Sequence, residues 1–339
     1  MKYVSLGNTG AKVSEVCLGT MMCGTALDKE RSFQVLDHFT TEMQGNFIDT
    51  ANCYAWWFGN GEFIGDESEN ILGEWMHTRK NRNKVFLSTK VGGRLKNPNT
   101  IRDNNGIVDW DRVRQEYEGL SKAVIIREVE NSLLRLKTDY IDLYYTHVYD
   151  NSIAIEETMD ALNTLIVEGK IRYIGASNLS TSQLKNANLI AISKGLKPYS
   201  VLQQEYSYIH PNKDLDAGII NHADNQMLEY VNSNNLGFCA YSPLLKGIYT
   251  NQDKKFSYYN WPLFNSQQSL KKLALVEKLS SELNITGNQL VLCWMLKQCP
   301  TIVPLLGFSK TEQYFENIQA VNIELPQDIL FAMNKVITE

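Results

Sequence analysis

The sequence predicts an α/β fold, a single (β/α)8 barrel of the TIM type over residues 1–339, with an N-terminal β-hairpin and long loops at the carboxyl-end face. Three observations predict it. Eight short runs rich in aliphatic, aromatic and β-branched residues recur along the chain, most of them apolar on both faces, as strands of a parallel sheet covered on each side must be. Between the runs the apolar period changes to that of a helix. A chain of 339 residues, 43% hydrophobic and 21% charged, is long enough for such a barrel and unlike a disordered or low-complexity chain.

The first element is a pair of alternating strands within Lys2 to Val16, turning at Asn8-Thr9-Gly10, where Asn and Gly supply the backbone freedom of a tight hairpin. It reads as a lid and not as a core element. The eight barrel strands follow at Val16 to Gly19, Phe47 to Ala51, Val85 to Val91, Ile141 to His147, Ile171 to Ser177, Ser200 to Tyr206, Gly237 to Pro243 and Thr301 to Gly307. A helical stripe of Ile155, Thr158, Met159, Leu162, Leu165 and Ile166, stopped by Gly169, typifies the segments between them. Ser180 with Gln183, and Ser309 with Glu312, have capping-box spacing and predict the helix starts after the fifth and eighth strands. The competing open doubly wound sheet lacks its fingerprint, because Gly59, Gly61 and Gly65 follow an aromatic loop and do not lead from a strand into a helix. They are loop glycines.

Two connections, Gly92 to Lys122 and Leu244 to about Ser269, exceed ordinary βα loops and overhang the carboxyl-end face. The second holds Tyr249, Phe256, Tyr258, Tyr259, Trp261 and Phe264, read either as a substrate wall or cofactor clasp, or as a self-packed loop or oligomer contact. No composition break, Pro/Ser-rich linker or repeat of 20–50 residues points to a second domain or a solenoid.

Lys plus Arg at 33 against Asp plus Glu at 38 gives a net charge of −5, so no global positive field draws nucleic acid or anionic lipid. Cysteines at 17, 23, 53, 239, 293 and 299 form no CxxC pair, which suits reduced, mostly buried thiols in a cytoplasmic protein without a signal sequence. None of the histidines at 38, 77, 147, 210 and 222 forms an HxH or HExxH pair, so no metal is expected. No apolar run approaches the roughly 18 to 20 residues that cross a bilayer. Oligomeric state is silent.

The chemistry lies at strand ends. Asp49, Lys90 and His147 close three successive strands, and Tyr54 stands five residues beyond Asp49. In a barrel these ends converge on one mouth. Singly they have ordinary explanations: a strand-end Asp often caps a helix, a lone His is more often a satisfied core or surface group, and Tyr54 could simply pack. Together they place an acid, a cation, an imidazole and a phenol in one pocket. A phenol with pKa near 10 is a poor proton donor at neutral pH, but a cation about 4 Å away at an effective dielectric of 20 favours phenolate by roughly 4 kcal/mol, about three pK units. On this reading Lys90 acidifies Tyr54, Asp49 holds Lys90 charged and oriented, and His147 polarises a bound carbonyl or shares the proton relay.

The motifs resemble those of the aldo-keto reductase superfamily over nearly the whole chain. Asn46-Phe-Ile-Asp-Thr-Ala-Asn-Cys-Tyr54 is similar to its Asp-and-Tyr signature, Ser88-Thr-Lys90 to its lysine strand, and Tyr140-Ile-Asp-Leu-Tyr-Tyr-Thr-His147 to its histidine strand. Glu67-Ser-Glu-Asn-Ile-Leu-Gly73, Gly175-Ala-Ser-Asn178, Gln203-Gln-Glu-Tyr206 and Leu306 to Asn317 match as well. The resemblance implies an NADPH-dependent carbonyl reductase or alcohol dehydrogenase, with Asp49, Tyr54, Lys90 and His147 catalytic. It implies that Ser177, Asn178 and Gln203 hold the nicotinamide carboxamide, that Tyr241 stacks on the ring, and that backbone around Ser242, Leu244 and Gly247 receives the pyrophosphate. Ser309 and Lys310 would meet a 2′-phosphate, and Gln313, Glu316 and Asn317 the adenine. A helix start with a hydroxyl and a lysine is an anion site, which favours NADPH. Gln313 stands where many relatives place an arginine, so NADH stays open. Met21, Trp56 and Trp57, with Met22 and Phe58 nearby, suggest an apolar cup for a small-molecule carbonyl substrate.

Two other readings are carried. The pattern of Gln313, Glu316 and Asn317 also resembles the potassium-channel β-subunits of this superfamily, which would make the chain an NADPH-binding regulatory or redox-sensing subunit. A Schiff-base lyase built on Lys90 is the other, and an adjacent Asp49 that keeps the lysine charged opposes it.

Overall fold

The computed structural model describes residues 1–103, 106–113 and 115–338. In chain order the strands are β1 (Tyr3–Ser5), β2 (Lys12–Ser14), β3 (Cys17–Gly19), β4 (Phe47–Asp49), β5 (Phe86–Val91), β6 (Ile141–Thr146), β7 (Ile171–Ser177), β8 (Val201–Glu205), β9 (Gly237–Tyr241) and β10 (Ile302–Leu306). Strands β3 to β9 pair in parallel in sequence order, and β10 closes the barrel between β9 and β3. Each expected barrel strand is present, ending within two residues of the expected boundary. β4 stops at Asp49, yet Thr50 N still donates to Ser88 O at 2.9 Å and Asn52 N to Lys90 O at 3.4 Å, so this segment stays on the rim.

The helices are α1 (Lys29–Asp37), α2 (Glu67–Arg79), α3 (Trp110–Val113), α4 (Lys122–Leu136), α5 (Ile155–Val167), α6 (Thr181–Ser193), α7 (Asn225–Ser233), α8 (Trp261–Phe264), α9 (Gln267–Glu282), α10 (Gly287–Met295), α11 (Thr311–Ile318) and α12 (Gln327–Thr338). They follow the local signals closely. α5 ends before Gly169, whose φ of 74° makes it the left-handed residue just past the helix. Ser180 and Gln183 form the expected reciprocal cap of α6. The box expected of Ser309 and Glu312 does not form: α11 starts one residue later, and Gln313 Oε1 accepts from Ser309 N, Ser309 Oγ and Lys310 N at 3.0, 3.2 and 3.3 Å. Two overlapping four-residue patterns competed there, and the amide side chain took the exposed N–H groups.

Strand alternation sorts the residues that build the site. Phe47 and Asp49 point inward while Ile48 joins the layer beneath the helices. Likewise Phe86, Ser88 and Lys90 alternate with the outward Leu87 and Thr89. The barrel interior is therefore apolar low down, around Cys17, Phe47, Phe86, Leu143, Tyr145, Val201, Cys239 and Val303, and polar near the carboxyl ends. Leu6 and Val13 of the hairpin belong to the low apolar cluster. A Cβ on Gly7, at φ 54°, would lie 2.1 Å from Gly237 N at the start of β9. The hairpin thus closes the amino-terminal end, opposite the rim that carries Asp49, and with Leu6 and Val13 inside the apolar cluster it is part of the core, contrary to expectation. An isolated two-stranded ribbon is marginal in water, and burying Leu6 and Val13 under the strands supplies its anchorage.

The long loops are partly self-packed. In the first, Trp56, Leu95, Ile101 and Val113 form a small buried cluster. In the second, Tyr249 hydrogen-bonds Ser207 Oγ at 2.6 Å and Ile209 N at 3.0 Å, and Tyr258 stacks on the buried Phe264. Phe256 and Tyr259 remain 81% and 78% exposed. Cys17, Cys23, Cys53, Cys239 and Cys293 are buried free thiols, and Cys299 is exposed. Among the described residues no helix is long and apolar enough to cross a membrane.

Candidate active site

Asp49 and Lys90 are fully buried on adjacent strands, Asp49 as the last residue of β4 and Lys90 one residue before the end of β5. Lys90 Nζ donates to Asp49 Oδ2 at 2.5 Å, to Thr50 O at 2.8 Å and to Tyr54 Oη at 2.5 Å. An ammonium has three N–H groups, and all three are used. Asp49 Oδ1 accepts from Ser88 Oγ at 2.6 Å and Gln203 Nε2 at 3.1 Å, so both carboxylate oxygens are held. A buried pair with such complete hydrogen bonding avoids the large cost of an unpaired ion. It also leaves the lysine no lone pair for attack on a carbonyl, which argues against Schiff-base chemistry.

Tyr54 is half-buried at the rim, and its ring meets that of His147 edge-on at 5.8 Å. Because Tyr54 Oη accepts from the ammonium, its own proton is left to donate, and the nearest acceptor is Asp49 Oδ2 at a poor 3.4 Å. Burial and the Asp49 carboxylate hold the phenol above its ordinary range. The expected acidification is not found: Lys90 is no lone cation, because Asp49 lies 2.5 Å from it and the pair presents little net charge to Tyr54. Burial, then Lys90, pushes His147 down to about 3, so its imidazole is neutral at ordinary pH. Cys53, the residue before Tyr54, places Sγ 3.4 Å from His147 Nδ1.

A buried ionic network fixes the segment that carries Tyr54. Asn52 Nδ2 donates to Glu128 Oε2 at 2.8 Å, and Arg94 donates to Asn52 O at 2.7 Å and pairs with Asp66. Behind them Arg135 reaches Glu69 at 2.6 Å and Asp66 at 3.2 Å, while Glu69 also accepts from Thr89 Oγ1 on β5. Glu69 is fully buried. Replacing Arg135 by Met strands that carboxylate and is expected to cost about 3–5 kcal/mol of unfolding free energy in urea melts. A loss below 1 kcal/mol would show that the network is not what braces this rim.

The residues expected around a dinucleotide fall on the same rim. Asn178, at φ 57°, gives Nδ2 to His147 O at 3.0 Å and Ser177 Oγ at 3.2 Å, and its Oδ1 accepts from Tyr241 Oη at 2.6 Å. Ser177, Asn178, Gln203 and Tyr241 are thus knitted to Asp49 and His147. Beyond β9, Ser242, Leu245, Lys246 and Gly247 have φ of 51°, 44°, 63° and 88°. Within this turn Leu245 N donates to Ser242 O at 3.1 Å and Gly247 N to Leu244 O at 2.7 Å, so a pyrophosphate would be met by the other backbone N–H groups around Leu244. Ser309, Lys310 and Glu316 are exposed, and Asn317 is buried with Oδ1 lacking a hydrogen-bond partner. An orphaned buried acceptor on α11, with an exposed hydroxyl and lysine just before the helix, fits an adenine amino group and an anionic ribose substituent. The caps on Ser309 and Lys310 already occupy the carbonyl of Gln313.

Among the substrate candidates, Trp56 is buried in the loop cluster and is packing first. Trp57 is half-buried and packs edge-on against it at 5.7 Å. Met21 is half-buried and follows Thr20, whose Oγ1 donates to Asp49 O at 2.9 Å. Sequence reasoning missed three residues. Trp110, 58% exposed, comes from the first long loop to within 5.8 and 6.4 Å of the Trp56 and Trp57 rings. Ser88 and Cys53 lay inside the quoted motifs, next to catalytic positions, but their contacts bridge distant strands. Among the described residues no three His, Cys, Asp or Glu side chains cluster as metal ligands.

A closed barrel with a buried lysine-carboxylate pair under a rim tyrosine and a neutral histidine is compatible with an oxidoreductase site, and the comparisons with known proteins point to that class. The chain belongs to the aldo/keto reductase family, whose model matches residues 15–337. It is similar to a norsolorinic acid reductase of Aspergillus flavus, 29% identical over 95% of this chain and 77% of the relative. It is also similar to an aryl-alcohol dehydrogenase [NADP(+)] of Phanerodontia chrysosporium, 26% identical over 97% and 83%. Among solved structures, a thermostable aldo-keto reductase in complex with the inhibitor epalrestat superposes with a TM-score of 0.70 at 26% identity, covering 99% of this chain and 100% of that one.

Proposed function

We propose that this protein reduces an aldehyde or ketone to the alcohol with NADPH, Tyr54 supplying the proton. The observation that carries the reading is the single hydrogen-bonded chain from Asp49 through Lys90 Nζ to Tyr54 Oη, with 2.5 Å at each link, ending at an open rim. The cofactor supplies hydride to the carbonyl carbon. Tyr54, a neutral phenol, gives its proton to the carbonyl oxygen as negative charge develops there. Lys90 stabilises the phenolate that remains, at a cost already met by the packed Asp49. His147, uncharged, offers an N–H to the same oxygen. Asn178 and Gln203 would hold the carboxamide, Tyr241 the nicotinamide face, and backbone N–H groups of the left-handed turn at Ser242 to Gly247 the pyrophosphate.

Flat aromatic carbonyls are the favoured substrates on this reading. The half-buried Trp57 and the exposed Trp110 offer ring faces, and one of the relatives is named an aryl-alcohol dehydrogenase. The test is a panel of aromatic and aliphatic aldehydes and ketones assayed for NADPH and NADH oxidation. Steady oxidation of NADPH that depends on an aromatic carbonyl is expected. Tight NADPH retention with negligible turnover across the panel would overturn the enzymatic reading in favour of a regulatory subunit.

Cofactor choice has its own test. A charge-assisted hydrogen bond to a phosphate is worth about 1.5 kcal/mol or slightly more, roughly tenfold in affinity. Lys310→Ala is therefore expected to raise the Kd for NADPH about tenfold while changing that for NADH less than twofold, read by quenching of cofactor fluorescence. Equal weakening of both would remove Lys310 from the 2′-phosphate site.

A further inference from the structure

The thiol of Cys53 lies on the chain between Asn52, held by Glu128, and Tyr54, held by Lys90, so its position is fixed from both sides. It is buried and 3.4 Å from His147 Nδ1, which has no other hydrogen-bond partner among the described residues. Gly93 shuts this contact from the far side: a Cβ there would come within 2.9 Å of His147 Nδ1 and 3.3 Å of Cys53 Sγ. Burial keeps the thiol protonated by pushing it up to about 12, and His147 is uncharged, so one S–H and one imidazole N–H must be arranged across a contact that holds a single proton. Imidazole nitrogen is a strong acceptor and thiol sulfur a weak one. The S–H to Nδ1 arrangement wins, and it leaves the imidazole proton on Nε2.

We propose that Cys53 is a positioning residue that donates its thiol proton to His147 Nδ1 and thereby holds His147 in the Nε2–H tautomer, able to donate to the oxygen that Tyr54 protonates. The inference rests on the carbonyl-reduction reading for its consequence but not for its geometry. In the opposite tautomer a bare Nε2 lone pair would confront the carbonyl oxygen, and polarisation would be lost. A serine at position 53 keeps a donor on the same side, whereas an alanine removes it.

The test compares wild type, Cys53→Ser and Cys53→Ala, using 15N-labelled, cofactor-free protein and long-range proton–nitrogen correlation, with the His147 signals assigned by their loss in His147→Asn. Wild type and Cys53→Ser are expected to show a protonated Nε2 and an unprotonated Nδ1, and Cys53→Ala an averaged mixture of both tautomers. With an aromatic aldehyde, kcat should fall about three- to tenfold in Cys53→Ala, as loss of one weak hydrogen bond allows. It should stay within twofold in Cys53→Ser, with NADPH affinity unchanged in both. A protonated Nδ1 in wild type overturns the proposal, and so does a tautomer unmoved by Cys53→Ala, whatever happens to kcat. If no carbonyl is reduced at all, the reading of function fails while the tautomer measurement still decides this one.

Discussion

Replacing Tyr54 by Phe is expected to lower kcat for carbonyl reduction by about 10²–10⁴-fold, the usual contribution of a positioned general acid, while NADPH still binds with near-native affinity. The substitution removes one oxygen. It leaves the ring against His147 and leaves Lys90 two of its three acceptors, Asp49 Oδ2 and Thr50 O, so the rim should keep its shape. The same geometry sets the pH dependence. Tyr54 is held above 10 by burial and Asp49, so it is fully protonated, and competent as an acid, at every pH below that range. His147, pushed down to about 3, becomes charged only in strong acid. Between about pH 5 and pH 9 neither group changes state, and kcat/KM for reduction should be flat with respect to both. A break near pH 6.5 would mean that His147 titrates as an ordinary imidazole, and a Tyr54→Phe enzyme retaining more than a tenth of wild-type kcat would remove Tyr54 from the proton step.

How far this was legible beforehand follows from what each residue depends on. The barrel strands were readable because burial on both faces writes a continuous apolar run into the sequence, as in Ile141-Asp-Leu-Tyr-Tyr-Thr146, and the start of α6 was readable because Ser180 and Gln183 satisfy each other locally. The convergence of Asp49, Tyr54, Lys90 and His147 was readable because barrel topology brings strand ends together. That the hairpin joins the core was not readable, because its alternation shows which residues are apolar but not that Leu6 and Val13 pack under the barrel strands. The acidity of Tyr54 was misjudged because it depends on a 2.5 Å Lys90–Asp49 contact, and spacing carries no information about whether a cation arrives alone or neutralised. Cys53 and His147 are 94 residues apart, and Trp110 meets Trp57 through a loop with no periodic signal.

Lys90 is where stability and chemistry meet, and two variants separate them. In Lys90→Met the Asp49 carboxylate keeps Ser88 and Gln203 on Oδ1 but loses the ammonium on Oδ2, in a position with no access to water. Breaking one side of a buried pair in this way is expected to cost about 3–5 kcal/mol of unfolding free energy, and activity should fall at least as far as in Tyr54→Phe, because a phenolate formed at Tyr54 would have no counterion. Adding Asp49→Asn removes the stranded charge. Exchanging both members of a buried pair for neutral groups is commonly close to neutral in stability, so the double variant should recover most of the lost unfolding free energy. It should recover none of the turnover, since the group that stabilises the phenolate is still missing. Urea melts and kcat on the same three proteins decide the matter: recovery of activity along with stability would show that Lys90 serves the fold alone, and a double variant no more stable than Lys90→Met would show that the cost lies in lost packing of the lysine stem and not in an unpaired charge.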